Sequence, residues 1–295
     1  MPSTRLAALI LLALAAPAPA QFRAIAVPVT YSQNYDPSLS PDGKRMVFLK
    51  ALEGRETLFV ANSDGTGEKR LLETTADVED PAWSPDGRLI AYVRIEGGKK
   101  SVHVMGVDGS GDRQVTPPGQ SPIHPAWTPD GKALLYCTDD DLDPPRKNAA
   151  EIYRLDLASG KIATVLSGGV NTYPVSSPDG RRIAFRKFFD NNSEVFVMDA
   201  DGKNVRNLTD HPAFDGWPEW SPDGKRIAFA SNRNSAYQIF LMNADGSGVK
   251  LVANTEGRAT APKWSPDGKM IYFTNCWQTG LAAACEIFIA AAPAI

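Results

Sequence analysis

The chain has 295 residues, with 31 basic and 34 acidic side chains and a formal charge of -3. This near balance gives no general electrostatic reason to bind nucleic acid or an anionic membrane surface. A hydrophobic content of 43% is ordinary for a globular protein and excludes a disordered composition.

Residues 1–20 have the pattern of a secretory signal peptide. Arg5 precedes an apolar run from Leu6 to Ala16, and small residues lead up to Gln21. The apolar run is shorter than the roughly 20 residues that a membrane-spanning helix needs. We therefore expect a periplasmic or secreted protein without a transmembrane segment, whose mature chain begins near Gln21.

The stretch SPDGKRIAF recurs six times with small changes along the rest of the chain. The copies begin at Ser40, Ser84, Thr128, Ser177, Ser221 and Ser265. Their starts are 44 residues apart, except for one interval of 49. A fixed period of this length indicates a repeat architecture.

Each repeat has the pattern of four short antiparallel strands. A run that commonly ends in Trp leads into a Pro-Asp-Gly turn, and an apolar strand, a third strand, a second Gly-containing turn and a short fourth run follow. Four such strands form one blade of a β-propeller. The sequence thus predicts an all-β, six-bladed propeller that occupies residues 21–295 as a single domain.

The last repeat has no fourth strand of its own, because the chain ends just after its third. Residues 23–30, RAIAVPVT, precede the first repeat at the distance expected of a fourth strand. We expect this N-terminal strand to complete the last blade and close the ring, which removes open sheet edges.

The Pro-Asp-Gly repeat with its partner IFLMNADG resembles the TolB-type propeller repeat, also called PD40, over essentially the whole mature chain. Similar repeats occur in TolB, in prolyl oligopeptidase-like peptidases and in oligogalacturonate lyase, so the resemblance implies the fold more than a function. We expect the chain to lack the separate N-terminal domain that TolB places before its propeller.

Two insertions distinguish individual blades. Residues 139–150, DDDLDPPRKNAA, interrupt the third repeat, and their acids are interpreted as a solvated loop in preference to a calcium site. In the sixth repeat, Cys276 and Cys285 flank an insertion between two strand-like runs. We expect a disulfide between them at the base of a loop.

The Pro-Asp-Gly turns and the second turns should share one repetitive face, which leaves variation to the opposite face and to the mouth of the central channel. The residues aligned four positions before each turn are Asp36, Asp80, His124, Tyr173, Trp217 and Ala261. Of these, Asp36, Asp80 and His124 could converge on a divalent cation, or be merely hydrated charges.

Further candidates for the same mouth are Glu79 and Asp215, one and two positions farther out. Tyr173, Asp215 and Trp217 would together give a protein-binding patch, although Trp217 could equally be a packing residue.

Recognisable catalytic motifs are absent, including G-x-S-x-G and H-E-x-x-H. We therefore predict a non-enzymatic, monomeric propeller that docks an envelope protein or peptide and needs no cofactor. The alternative is a carbohydrate-binding or lyase-like propeller, with a metal or polar ligand held by Asp36, Glu79, Asp80, His124 and Asp215.

Overall fold

The computed structural model describes residues 23–24, 33–138, 149–279 and 282–294. These residues form six β-sheets arranged as the blades of a propeller, as the sequence predicts. None of the described residues belongs to a helix long and apolar enough to cross a membrane.

The first three blades follow one another along the chain, and each contains four antiparallel strands. Blade 1 consists of Gln33–Leu39, Arg45–Leu52, Arg55–Asn62 and Lys69–Arg70. Blade 2 consists of Asp77–Trp83, Leu89–Glu96, Lys99–Gly106 and Arg113–Gln114. Blade 3 consists of Pro122–Trp127, Ala133–Thr138, Ile152–Asp156 and Ile162–Leu166.

The other three blades repeat this plan. Blade 4 consists of Gly169–Ser176, Arg182–Phe189, Asn192–Asp199 and Arg206–Asn207, and Ala149–Ala150 pairs in parallel with its first strand. Blade 5 consists of Asp215–Trp220, Arg226–Asn234, Ala236–Asn243 and Lys250–Ala253. Blade 6 consists of Arg258–Trp264, Met270–Thr279, Ala282–Ala291 and the N-terminal Arg23–Ala24.

The N-terminal segment closes the ring as expected. Arg23 and Ala24 pair antiparallel with Ile289 and Phe288 on the outer edge of blade 6. The remaining residues of the predicted strand, 25–30, lie outside the described residues. The same holds for the predicted signal peptide, residues 1–20, and for most of the acidic insertion, residues 139–148.

Repeated side-chain hydrogen bonds explain the Pro-Asp-Gly turns. In blade 1 the Ser40 hydroxyl donates to Asp42 over 2.6 Å, and the Lys44 amide donates to the same oxygen over 3.1 Å. The bond from Ser40 holds the pKa of Asp42 below its usual value. Gly43, at φ 69°, packs against Pro266 of the neighbouring turn, so the six turns form one structural face.

The hydrophobic core lies between adjacent blades. Trp83 of blade 2 is 7% exposed and packs with Val47 and Leu49 of blade 1, and Trp127 donates its indole N–H to Ala82 of the preceding blade. The recurrent tryptophans therefore stabilise the contacts between blades.

The sixth repeat differs from the expected loop insertion. Cys276 and Cys285 form a disulfide and lie directly opposite one another, but the strands continue beyond them to the pair Thr279 and Ala282. The inserted residues extend a β-hairpin because the alternating pairing persists past the bridge, which the Gly- and Ala-rich sequence does not suggest.

Candidate functional site

Six residues, one from each innermost strand, surround the central channel and are called the channel ring. They are Asp36, Asp80, His124, Tyr173, Trp217 and Ala261, each followed by proline. All six adopt left-handed backbone conformations, with φ between 50° and 54°. A β-bulge in each strand produces this conformation, since pairing with the second strand skips the ring residue and its proline. Bulges re-aim side chains, and here they place one per blade at the same level of the channel.

The ring separates two cavities. A cavity of about 400 Å³ lies on the side of the Pro-Asp-Gly turns and is lined largely by prolines. A second cavity of about 1010 Å³, the wide cavity, lies toward the hairpins that join second and third strands. Asp36, Asp80, His124 and Tyr173 line both cavities.

One side of the wide cavity is acidic. Asp36, Glu56, Glu79 and Asp80, from blades 1 and 2, line it. Burial, together with the charges of Asp80 and Glu56, raises the pKa of Asp36 from 3.8 to about 7. Burial also raises the pKa of Glu56, against the opposing effect of its hydrogen bond with Tyr35. These four residues are called the acidic half.

The acidic half is tied to its neighbours through backbone amides. The Asp80 carboxylate accepts a hydrogen bond of 2.9 Å from the amide of His124, which lies at the equivalent position of the next blade. The amide of Asp36 donates to the Thr274 hydroxyl of blade 6 over 2.9 Å. Polar groups of adjacent blades thus satisfy amides that the bulges remove from strand pairing.

The opposite side of the channel contains a continuous series of aromatic rings in contact. The centroids of His124 and Tyr173 are 3.6 Å apart, those of Tyr173 and Trp217 are 5.3 Å apart, and those of Trp217 and Tyr237 are 5.5 Å apart. These four residues, from blades 3 to 5, are called the aromatic ladder. Such contacts add stability beyond the burial of ring area.

Two arginines cover the aromatic ladder. The guanidinium of Arg186 lies 5.3 Å from the centroid of Tyr173 and 5.7 Å from that of Trp217. Arg258 lies 4.9 Å from the centroid of Tyr237 and 5.7 Å from that of Trp217. All four distances fit cation–π contacts, which makes this side of the channel aromatic and cationic.

The structure brings most of the candidate residues from the sequence to the channel. Asp36, Glu79, Asp80, His124 and Tyr173 line the wide cavity, and Trp217 lies in the ring and the ladder. Trp217 also packs against the core between blades 5 and 6, which is the packing role considered for it.

Asp215 is placed elsewhere. It is fully buried and forms a 2.8 Å ion pair with Arg233, and its main-chain oxygen accepts a hydrogen bond from Ser193. Its side chain points to the opposite face of the strand from Gly216, because successive residues of a strand alternate between faces. Asp215 therefore pairs with Arg233 inside blade 5 and does not line either cavity.

Asp36, Asp80 and His124 share the ring, but they do not assemble a metal centre. Within the part of the chain that the structure describes, no group of three His, Cys, Asp or Glu side chains is arranged to hold a metal ion. The Nδ1 atom of His124 instead lies 3.2 Å from the Cys137 sulfur.

Sequence reasoning missed Glu56, Lys100, Arg186 and Tyr237, which all line the wide cavity. They come from second and third strands, whereas the candidates aligned before each Pro-Asp-Gly turn belong to first strands. A signal was present for Arg186, because the same position in the other repeats is apolar or small, as described below.

The fold and the channel define the class of protein, which is a closed six-bladed propeller. One of its faces consists of repeated turns, and the opposite face opens into a cavity with an acidic side and an aromatic, cationic side. The family model described as the TolB beta propeller domain, PD40, matches residues 21–143 and 145–287. The chain belongs to this family.

Solved structures give the same picture of the fold. A candidate TolB from Agrobacterium tumefaciens is similar, with 25% identity, a TM-score of 0.66, and coverage of 90% of this chain and 92% of that one. TolB from Acinetobacter baumannii is 22% identical with a TM-score of 0.68, and the match covers 88% of this chain but only 63% of that protein. An oligogalacturonate lyase from Vibrio parahaemolyticus is 12% identical with a TM-score of 0.62, covering 92% and 93%. No curated protein sequence matches the chain.

Proposed function

We propose that this protein is an exported, non-enzymatic propeller that docks a protein or peptide segment of the cell envelope in its wide cavity. The observation that carries the proposal is the aromatic ladder, which places rings in contact from three consecutive blades beside the channel. Rigid aromatic side chains with arginine neighbours are the groups that dominate binding energy at protein interfaces.

Family and context support this proposal. The chain belongs to the TolB propeller family, and the solved structures similar to it include two TolB proteins. Its disulfide is of the kind that persists in oxidising compartments, which fits export through the signal-like residues 1–20. The likeness to oligogalacturonate lyase concerns the fold, so carbohydrate binding remains the alternative use of the same aromatic surface.

The test is affinity capture from a detergent-solubilised envelope extract of the source organism, with the full chain as bait. A Tyr173→Ala, Trp217→Ala double variant removes two ladder rings. A Val205→Ala, Val249→Ala variant is the matched control, because both valines are exposed in second turns on the repetitive face. All baits are first checked for folding by their cooperative melting.

We expect a protein that the wild-type and valine-variant baits retain and the ladder variant loses. Its purified form should bind the wild-type chain with at least tenfold higher affinity than the ladder variant, as loss of interface hot spots predicts. Identical sets of captured proteins from all three baits would contradict docking at this surface. Binding of oligosaccharides to the wild-type chain alone would favour the carbohydrate alternative.

A further inference from the structure

Arg186 occupies a position at which the other repeats bury apolar or small side chains. The equivalent residues are Leu49, Val93, Cys137, Ala230 and Thr274, all at most 3% exposed. A charged side chain at such a position costs free energy unless it has a partner, because burial removes its hydration. Arg186 is therefore the exception in its repeat position that requires an explanation.

Gly216 in the next blade makes room for this arginine. A Cβ atom built on Gly216 would lie 2.8 Å from the Cδ atom of Arg186, closer than real contacts allow. Gly216 does not adopt a left-handed φ, so the backbone conformation does not require glycine there. The two departures from the repeat, an arginine in blade 4 and a glycine in blade 5, are thus complementary in shape.

The polar groups of Arg186 are not used inside the protein. Its guanidinium makes no hydrogen bond or ion pair with any described residue, and its Nε atom is buried without a partner. The two terminal nitrogens keep solvent contact on the side of the wide cavity, which Arg186 lines. The guanidinium lies over the rings of Tyr173 and Trp217, and its terminal N–H groups have no partner among the described residues, so they are available for bidentate hydrogen bonds.

A second unsatisfied group faces Arg186 directly. Thr172 is its cross-strand partner in blade 4, so the two side chains share one face of the sheet, and both line the wide cavity. Thr172 is 2% exposed, and its hydroxyl has no hydrogen-bond partner in the described protein. Buried hydroxyls are normally satisfied, so this one indicates a ligand atom on that side.

The ligand group that matches an arginine fork beside a hydroxyl is a planar carboxylate. A carboxylate would also be repelled from the opposite wall, where Asp36, Glu56 and Glu79 lie, and this fixes its orientation in the cavity. The cavity, at about 1010 Å³, holds several residues of a peptide in addition to that group.

We propose that Arg186 and Thr172 form a carboxylate-binding site in the wide cavity, which holds a carboxylate of a docked peptide segment. The peptide part of this inference rests on the proposed docking function, whereas the carboxylate site itself can be tested on its own. The carboxylate can belong to the C-terminus of the segment or to an Asp or Glu side chain.

The first experiment follows the arginine Nε–H resonances of the ¹⁵N-labelled protein by NMR, with Arg186→Lys used to assign the signal of Arg186. The probes are 3-phenylpropionate and its neutral analogue 3-phenylpropionamide. We expect the acid, and not the amide, to shift the Arg186 signal saturably. A response to both probes, or no response to the acid, would overturn the carboxylate site.

Variants locate the binding. Arg186→Lys keeps the charge but loses the planar fork, and we expect it to weaken 3-phenylpropionate binding at least tenfold. Thr172→Val, which keeps the shape, should weaken it severalfold. Lys187→Gln is the matched control: it removes a charge one residue along on the other face of the strand, where Lys187 covers Phe196, and binding should not change. Equal loss in all three variants would contradict the assignment.

The second experiment identifies the source of the carboxylate with three pools of immobilised random peptides. One pool has a free C-terminus and no acidic residues, one is amidated with internal Asp and Glu, and one is amidated without acids. Retention of the first or second pool supports the inference and names the source. Retention of the third pool to the same extent, or of none, overturns it, while capture that depends on Tyr173 and Trp217 but not on Arg186 leaves the docking function intact.

Discussion

The two sides of the wide cavity use the same backbone for opposite chemistry. In the acidic half, ring residues Asp36 and Asp80 stand beside Glu56 and Glu79. On the far side, the equivalent ring residue is Tyr173, which Arg186 covers. Trp217 and Arg258 continue this aromatic and cationic side along the ring, outside the lining of the wide cavity. The ring residues on both sides have nearly identical φ values, so the repeat fixes the geometry while the side chains determine polarity. A near-symmetric ring thereby becomes a bipolar cavity that can orient a ligand.

The two sides also differ in how they tolerate burial. In the acidic half, burial and the neighbouring carboxylates raise the pKa of Asp36, so protonation of this group can relieve the repulsion over a wider pH range. The cationic side cannot do the same, because arginine stays charged at all ordinary pH values, and it instead stacks its guanidinium groups on aromatic rings. The stability contributed by the acidic half should therefore depend on pH. The stability contributed by the cationic side should depend on how closely its side chains pack.

The largest expected effect comes from closing the space that Gly216 provides. Gly216→Ala places a methyl group against the Arg186 side chain and should lower the free energy of unfolding by about 1–3 kcal/mol, as overpacking does. Chemical denaturation of the variant measures this.

Adding Arg186→Ala in the same chain supplies the control. The double variant should recover most of the loss caused by Gly216→Ala, because the two residues are in direct contact and their effects are not additive. If the decreases in the free energy of unfolding caused by the two substitutions simply add, the steric complementarity of Gly216 and Arg186 is contradicted.

Much of the fold could be predicted from the sequence, because the same strand pattern and the same Pro-Asp-Gly turn occur in all six repeats. The ring register of Asp36, Asp80 and His124 follows from alignment to the Pro-Asp-Gly turn, which fixes how many residues separate ring and turn. The burial of Asp215 could not be foreseen, because a bulge between it and the turn changes which residues face the channel.

Contacts between blades could not be predicted from the repeat pattern. The ladder partner Tyr237 belongs to a third strand, and its position beside Trp217 depends on how hairpins pack across the cavity. Arg186 was detectable as the exception at its repeat position, but its meaning required the glycine opposite. Local pattern thus predicted the scaffold, and tertiary packing decided the site.

A smaller effect is expected from the acidic half. Since the pKa of Asp36 is about 7 in the native state and 3.8 in its reference state, the native chain holds a proton between these values that the unfolded chain has lost. Stability contributed by this group is therefore present below about pH 4 and lost as pH rises toward 7. Asp36→Asn should raise the free energy of unfolding relative to wild type, by about 1 kcal/mol more at pH 7 than at pH 6.

Asp42→Asn is the control with the opposite sign. The Ser40 hydroxyl lowers the pKa of Asp42, so its carboxylate contributes stability at neutral pH that is lost on acidification. Removing it should destabilise the protein at pH 7 and have less effect below pH 4. Denaturation of the two variants at several pH values measures both trends, and parallel behaviour of Asp36→Asn and Asp42→Asn would contradict the contrast between cavity and turn.

The smallest effect should come from Lys100, which is the basic side chain within ion-pairing distance of Glu79, with its Nζ atom 3.2 Å from Oε2. Both side chains are partly exposed, at 23% and 33%, so Lys100→Met should change the free energy of unfolding by no more than about 0.5–1 kcal/mol.

Ligand binding should respond to Lys100→Met more clearly than stability does. The variant removes a positive charge beside Glu79, so 3-phenylpropylammonium should bind a few times more tightly. This gain should shrink as salt rises, because ionic screening shortens to about 8 Å at 0.15 M. Calorimetric titration at low and high salt measures this. A gain that is independent of salt would mean that Lys100 acts by occupying space, and the acidic half would then owe its selectivity to shape and not to charge.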